Sequence, residues 1–205
     1  HVYVDKNKNG VFDQSEKPLA GIKVSDGLNV VETAADGSFT LPGHERERFI
    51  FITTPSGYKT FNRHYHKIEK KQSGYDFGLI PYSGRIRKDG SHRYIHITDT
   101  EIFNTENHAD WVNNVRDYAR NEQAAFIIHT GDICYEKGLK AHIKLMNTEN
   151  MDCPVFYCIG NHDLVKGKYG EELFESIYGP VYYSFDAGNV HYVVTPMPGG
   201  DHAPG

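Results

Sequence analysis

Two rhythms of apolar residues divide this chain near its middle. From Tyr94 onward, short unbroken apolar runs alternate with stretches of helical spacing. Tyr94-Ile-His-Ile-Thr98, Phe126-Ile127-Ile128 and Val155-Phe-Tyr-Cys-Ile159 have the length and composition of buried parallel strands. Between the first two, Trp111, Val115, Tyr118 and Ala119 recur at helical spacing after a polar start at Thr105-Glu106-Asn107, which predicts a helix over 106–121. Leu139, Ile143 and Met146 place a second helix before the Val155 strand. Leu173, Phe174 and Ile177 mark a short third one closed by Gly179-Pro180. Val181–Phe185 and Val190–Val194 then flank Asp186-Ala-Gly-Asn189, a hairpin signal.

Before residue 80 the rhythm is that of strands alone. Val2–Val4, Gly21–Ser25, Val30–Thr33, Ser38–Leu41, Phe49–Thr53 and Tyr75–Leu79 are short alternating runs separated by Gly, Pro, Asn and Asp, the spacing of a β-sandwich. Asp36-Gly37 supplies a turn, because Gly accepts the positive φ such a turn demands. The expected organisation is a small all-β module over 1–82, Ig-like or prealbumin-like, followed by an α/β domain over 83–205. Arg85-Ile-Arg-Lys-Asp-Gly90 reads as the linker, with the boundary between Ile80 and Ser91. Arg63-His-Tyr-His-Lys67 is locally basic and reads as a solvated loop edge.

Each strand of the second half runs into polar residues. Asp99-Thr100-Glu101, Gly131-Asp132 and Gly160-Asn161-His162-Asp163 follow the three runs. Their spacing, about 30 positions, is that of one βαβ unit. In open α/β sheets the C-terminal strand edge is where loops diverge and ligands bind. Asp99, Glu101, Asp132 and Asn161 thus offer hard oxygen donors at one rim, with Asp132 on the middle strand. A carboxylate there can bridge two cations, as in two-metal phosphatases. His162 suits a proton donor or a group that neutralises phosphoryl charge, and Asp163 a carboxylate that holds its ring. Each piece has a plain alternative: Gly-Asp is an ordinary turn and Asn161-His162-Asp163 an ordinary helix cap. His96 and His129, inside strands, read as core histidines, and His142 as exposed or half-buried.

The first loop of the β-rich half carries a second oxygen-rich pattern. Asp5, Asn7, Asn9, Gly10 and Glu16 fit the twelve-position loop D-x-[DN]-x-[DN]-G-x5-E. Asp13 stands at the water-bridging position and Val11 offers a backbone carbonyl. Strands and not helices flank it. It reads either as a structural calcium loop or as a tight Asn/Gly turn whose side chains bond their own backbone.

Composition narrows the partners. The net charge of −5 and 24% charged residues lack the basic excess that a nucleic-acid binder needs. No apolar run approaches the ~18 residues of a membrane span, and no signal peptide is evident. Cys134, Cys153 and Cys158 are odd in number and form no CxxC pair, so buried free thiols are expected. The chain opens on His1-Val-Tyr-Val4 without an initiator Met, and closes on a Gly/Pro loop after a strand. A processed start and a domain that continues past Gly205 are therefore expected.

Residues 94–195 resemble the first half of a calcineurin-like metallophosphoesterase, whose blocks run D-x-H, G-D-x-x-[DY] and G-N-H-[DE]. Here they stand as Asp99-Thr-Glu101, Gly131-Asp132-Ile-Cys-Tyr135 and Gly160-Asn161-His162-Asp163. The β-rich start is similar to the N-terminal domain of secreted or periplasmic bacterial members. The resemblance implies a four-layer αββα core, truncated in this chain, and two divalent metal ions. Asp99 and Glu101 would hold the first, Asp132 would bridge, and Asn161 would hold the second. His162 would be the catalytic proton donor or phosphate-binding group.

Glu101 stands where the family usually has His, which favours harder ions such as Mn²⁺, Mg²⁺ or Ca²⁺ over Zn²⁺ or Fe. The family's downstream His and G-H-x-H blocks have no counterpart before Gly205; neither His191 nor His202 fits. Weak or absent hydrolysis by this stretch alone is therefore expected. The expected activity is metal-dependent hydrolysis of a phosphorylated substrate of unspecified class in an extracytoplasmic setting. The alternative is a non-catalytic binding or adhesion module with a degenerate metal site.

Overall fold

The computed structural model describes residues 1–70, 72, 74–83, 85–102, 106–133, 136–165 and 170–196. The chain divides into two compact units. One is His1–Gly90 with Tyr183–Val193, and the other is Ser91–Tyr182 with the chain from Val194 on.

The first unit contains β1 (Val2–Val4), β2 (Lys17–Pro18), β3 (Lys23–Ser25), β4 (Val30–Glu32), β5 (Phe49–Ile52), β6 (Tyr58–Thr60), β7 (Tyr65–Lys67) and β8 (Phe77–Pro81). They form two four-stranded sheets, ordered β2-β1-β8-β6 and β4-β3-β5-β7. β1 runs parallel to β8 and antiparallel to β2. Val2, Phe77 and Leu79 of the first sheet share one buried cluster with Val24 and Ile52 of the second. Burial of such side chains stabilises by about 1.5–3 kcal/mol each.

Two expectations fail in this unit. Ser38–Leu41 forms no strand, although Phe39 and Leu41 pack on the core. The preceding turn explains why: Gly37, at φ 74°, lies so close to β1 that a Cβ there would meet the Val2 carbonyl at 2.4 Å. The Gly37 carbonyl also accepts the Val2 N–H, and the Ser38 carbonyl accepts the Ala34 N–H, so the start of the segment is taken up by the turn. Arg63–Lys67 is no mere loop edge, because Tyr65–Lys67 is β7 and pairs antiparallel with β5.

The second unit is built on β9 (Tyr94–Ile97), β10 (Phe126–His129) and β11 (Val155–Tyr157), joined by α1 (His108–Asn121) and α2 (Glu136–Leu145). All neighbours are parallel and the order is β11-β10-β9, so β10 is central. A 3₁₀ turn (Asn161–Asp163) and α3 (Glu172–Tyr178) follow. The hairpin β12 (Tyr183–Ala187) and β13 (Val190–Val194) comes last. β12 is grouped with the first unit, where Phe185 bridges to Thr54 in parallel.

The helical faces differ in detail from the apolar pattern. α1 buries His108, Val112 and Ala119, while Tyr118 lies 60% exposed. In α2 the fully buried place beside Leu139 belongs to His142, and Ile143 is half-buried. An imidazole is accommodated there because its Nδ1 meets the Tyr178 hydroxyl at 3.0 Å, itself bonded to the Leu139 carbonyl. His96 is exposed on β9, against the expectation of a core histidine, and bonds Thr130 Oγ1. Cys153 is buried and Cys158 half-buried, both as free thiols; Cys134, Tyr135, Thr105 and His202 lie outside the described residues.

Candidate metal centre at the strand ends

The loops after β9 and β10 are zipped together by backbone bonds that extend the sheet's pairing past its last strand residues. Thr130 N–H donates to Ile97, Asp99 to Gly131, Glu101 to Asp132 and Ile102 to Ile133. Ile102 and Ile133 are buried and pin this double loop from below. The backbone accordingly takes unusual turns. Asp99 (φ 53°), Glu101 (φ 41°) and Asp132 (φ 52°) all adopt left-handed conformations, which cost non-glycine residues about 1–2 kcal/mol each. The strain falls on the carboxylates expected to hold metal.

Two glycines let the third loop approach. Gly131 has φ 100°, and a Cβ there would meet the Gly160 N and Cα at 2.4 and 2.6 Å. A Cβ on Gly160 would meet Asp132 Oδ1 at 2.1 Å. The Gly-Asp and Gly-Asn-His-Asp blocks therefore need their glycines because the loops touch backbone to backbone. Asp132 Oδ1 then accepts the His162 N–H at 3.0 Å.

The result is a cluster of Glu101, Asp132 and His162, whose ligand atoms all lie within 4.8 Å of one another. Glu101 Oε1 is 2.9 Å from His162 Nδ1. Asp132 Oδ2 makes no hydrogen bond among the described residues, and each bonded carboxylate oxygen retains a lone pair. All three side chains are partly exposed, so a cation can enter. The donor set, two carboxylates and one imidazole, suits a hard or borderline divalent ion.

The remaining expected residues sit around this cluster. Asp99 is outside the group and accepts a hydrogen bond from the Thr98 hydroxyl. Asn161 opens the 3₁₀ turn, where its carbonyl accepts the Leu164 N–H. Asp163 is fully buried and its Oδ2 accepts the Gly160 N–H at 2.9 Å, so it closes the turn that presents His162. The carboxylate at the imidazole Nδ1 is that of Glu101, a partnership that sequence spacing does not reveal.

His129 braces the site from within β10. It is fully buried, accepts the Gly131 N–H at Nδ1 and therefore carries its proton on Nε2, 3.0 Å from Thr100 Oγ1. It thus ties both loops to the strand. Burial, only partly offset by the Asp99 charge, lowers its pKa to about 4. A groove of about 890 Å³ opens along Thr98–Ile102 and is walled by Asn107, His108, Trp111 and Val115.

The description of the calcineurin-like phosphoesterase domain matches residues 92–201, more than half of the chain. The chain belongs to the calcineurin-like phosphoesterase family. Residues 6–81 match the description of the N-terminal domain of calcineurin-like phosphoesterases. No curated protein and no solved structure matches the chain. At family level the activity is metal-dependent hydrolysis of phosphoesters, with divalent ions as cofactors. Among the described residues, no helix is long and apolar enough to cross a membrane.

A second cluster escaped the sequence reading. Asp26, His44 and Glu47, in loops of the first unit, also bring ligand atoms within 4.8 Å. Here the hydrogen bonds argue for a structural role. His44 Nδ1 accepts the Arg46 N–H, so the neutral ring carries its proton on Nε2, 3.3 Å from the Asp26 carbonyl. Neither nitrogen then has a lone pair to give a cation. Glu47 Oε2 accepts the His44 N–H, and buried Asp26 accepts the Leu28 and Asn29 N–H groups.

Proposed function

We propose that the second unit carries a hydrolase centre acting on phosphomonoesters or phosphodiesters by direct attack of water. The observation that carries the reading is the convergence of Glu101, Asp132 and His162 from three successive strand ends. Asp132, at the centre of the cluster, would be a ligand to the divalent ions held there. Glu101 and Asp99 would hold one ion with it, and Asn161 would help to hold a second. Bound there, divalent ions supply Lewis acidity and a water of lowered pKa.

The protein's own groups do the rest. Glu101 holds the His162 ring through Nδ1, which leaves Nε2 as the atom that meets a phosphoryl or leaving-group oxygen. The His162 backbone bond to Asp132 fixes the distance between imidazole and ligand carboxylate. His129, neutral at ordinary pH, keeps both loops in their strained turns. The groove beside Asp99 and Glu101 gives the substrate's remaining group a wall that includes Trp111. An extracytoplasmic setting is part of the proposal and rests on the resemblance of the β-rich start to the N-terminal domain of secreted or periplasmic bacterial members.

The test is Mn²⁺-dependent turnover of p-nitrophenyl phosphate and its bis-ester by the protein that carries this chain, alongside calorimetric Mn²⁺ binding. Hydrolysis that disappears on chelation and in Asp132→Asn supports the reading. Tight Mn²⁺ binding with no turnover of either ester favours the non-catalytic binding module. Turnover that persists in 10 mM EDTA overturns the proposal.

A further inference from the structure

The loop between β1 and β2 lies in the other unit and serves no step of that chemistry, yet it is built from oxygen donors. Asp5 directly follows β1 and Glu16 directly precedes β2, and the two strands pair with Val4 opposite Lys17. The loop's two end carboxylates therefore stand at the mouth of one antiparallel ribbon. Both are more than nine-tenths buried, at 1% and 6% exposure. Neither they nor Asp13 make an ion pair with any described Lys, Arg or His within 4.0 Å, although Lys6 and Lys8 lie in the same loop. Buried carboxylates without counter-charge are costly in a folded protein.

Most of the loop's side-chain oxygens are held by its own backbone N–H groups. Asp5 accepts the Asn9 and Gly10 N–H groups, one on each oxygen. Glu16 accepts those of Lys6 and Asp13 in the same fashion. Asn7 and Asn9 accept N–H groups two residues ahead. These bonds occupy one lone pair on each of those oxygens and leave the other for a cation. Gly10, at φ 71°, makes the sharp turn that the sixth loop position requires. Gly78 of β8 makes room for the first ligand, for a Cβ there would meet Asp5 Oδ2 at 2.9 Å.

A separate feature beneath the loop points to a missing partner. Tyr3 alternates with Asp5 on one face of β1 and its ring packs on Phe12 of the loop, 5.0 Å between centroids. It is fully buried, and its hydroxyl has no hydrogen-bond partner. An orphaned hydroxyl in a field of uncompensated negative charge is explained if a hydrated cation belongs there.

We propose that the Asp5–Glu16 loop is a structural calcium site that clamps the β1–β2 ribbon onto β8. The ligands are Asp5, Asn7, Asn9, the Val11 carbonyl and Glu16, with Asp13 acting through a water. Asp5, Asp13 and Glu16 do not gather within 4.8 Å of one another among the described residues. Binding therefore draws the loop inward. Oxygen donors of mixed charge on a flexible loop select Ca²⁺ over Mg²⁺, which demands smaller and stricter geometry. With only three carboxylates, affinity falls in the range of about 10⁻⁴–10⁻³ M typical of extracellular modules.

The experiment is calorimetric and thermal titration of the chelator-treated protein with calcium chloride, in an Asp132→Asn background so that the strand-end centre is crippled. One saturable heat and a Tm rise of about 3–6 °C at ten times Kd are expected. Both should vanish in Glu16→Gln, which keeps a carbonyl oxygen for one of the loop's N–H groups. Glu16→Gln folded by circular dichroism but blind to calcium supports the site. No heat and no shift at 10 mM calcium overturn it, as do an equal response to Mg²⁺ or a response unchanged in Glu16→Gln. If Glu16→Gln fails to fold, Asn9→Ala serves, with the same two outcomes read as a weakened or an unchanged Kd.

Discussion

The Asp5–Glu16 loop and the strand-end centre, both rich in oxygen donors, are made in opposite ways. The Asp5–Glu16 loop is a local object: its donors lie within twelve consecutive residues, and its hydrogen bonds span two to ten positions. The strand-end centre is assembled from afar, with Glu101 and His162 separated by 61 positions and joined by one hydrogen bond. A local site holds its shape through turn chemistry and needs a cation mainly to neutralise charge. An assembled site holds its shape only if two crossovers, two touching glycines and a buried histidine all succeed. The first is therefore expected to keep its fold through single changes, even Glu16→Gln that abolishes calcium binding, and the second to amplify them.

The sharpest way to break that contrast is Asp132→Ala. It removes the one carboxylate at the centre of the cluster, and phosphoester turnover should fall at least about 100-fold with little change in Tm. A loss under about threefold would show that the site does not depend on its shared ligand.

Next comes the pH dependence of stability. His129 titrates near pH 4 in the folded protein against about 6.5 when unfolded, so the unfolded chain binds the proton more readily between those values. Its contribution is complete above pH 6.5 and is lost as pH falls through that window, by up to about 3 kcal/mol. Urea denaturation at pH 7 and pH 4.5 measures the loss, and His129→Gln should flatten the slope. An unchanged slope would deny His129 its bracing role.

Gly160→Ala tests the loop contact itself. The added methyl has to displace Asp132, so a destabilisation of about 1–3 kcal/mol with weakened Mn²⁺ binding is expected. Normal Mn²⁺ affinity in a folded variant would mean the loops do not need to touch. The smallest effect belongs to the Asp26–His44–Glu47 cluster. His44→Ala should cost about 1 kcal/mol or less and leave metal binding unaltered, because the ring is partly exposed, its nitrogens are already occupied, and Asp26 keeps its bonds to the Leu28 and Asn29 N–H groups. Loss of a bound metal in His44→Ala would make the cluster a third site.

What the sequence made legible follows the same division. The parallel strands were readable because Phe126–Ile128 and Val155–Ile159 are continuous apolar runs ending in polar blocks. That Asp132 follows the middle strand was readable from chain order. The Glu101–His162 partnership was not, since no periodicity records which residues of two distant loops meet. His142 misled because burial of an imidazole depends on a tyrosine 36 positions away. Ser38–Leu41 misled because its alternation is real but the turn that leads into it is held against β1 at Gly37. In each case a tertiary contact outweighed a correct local pattern.

The central claim is that Asp132 anchors metal at a rim shared by three strand ends. Anomalous diffraction from crystals of the protein grown with Mn²⁺ tests it most directly. The account predicts Mn²⁺ peaks within bonding distance of the Asp132 carboxylate, with Glu101 beside one of them. Peaks confined to the first unit, or none near Asp132 at saturating Mn²⁺, would contradict it.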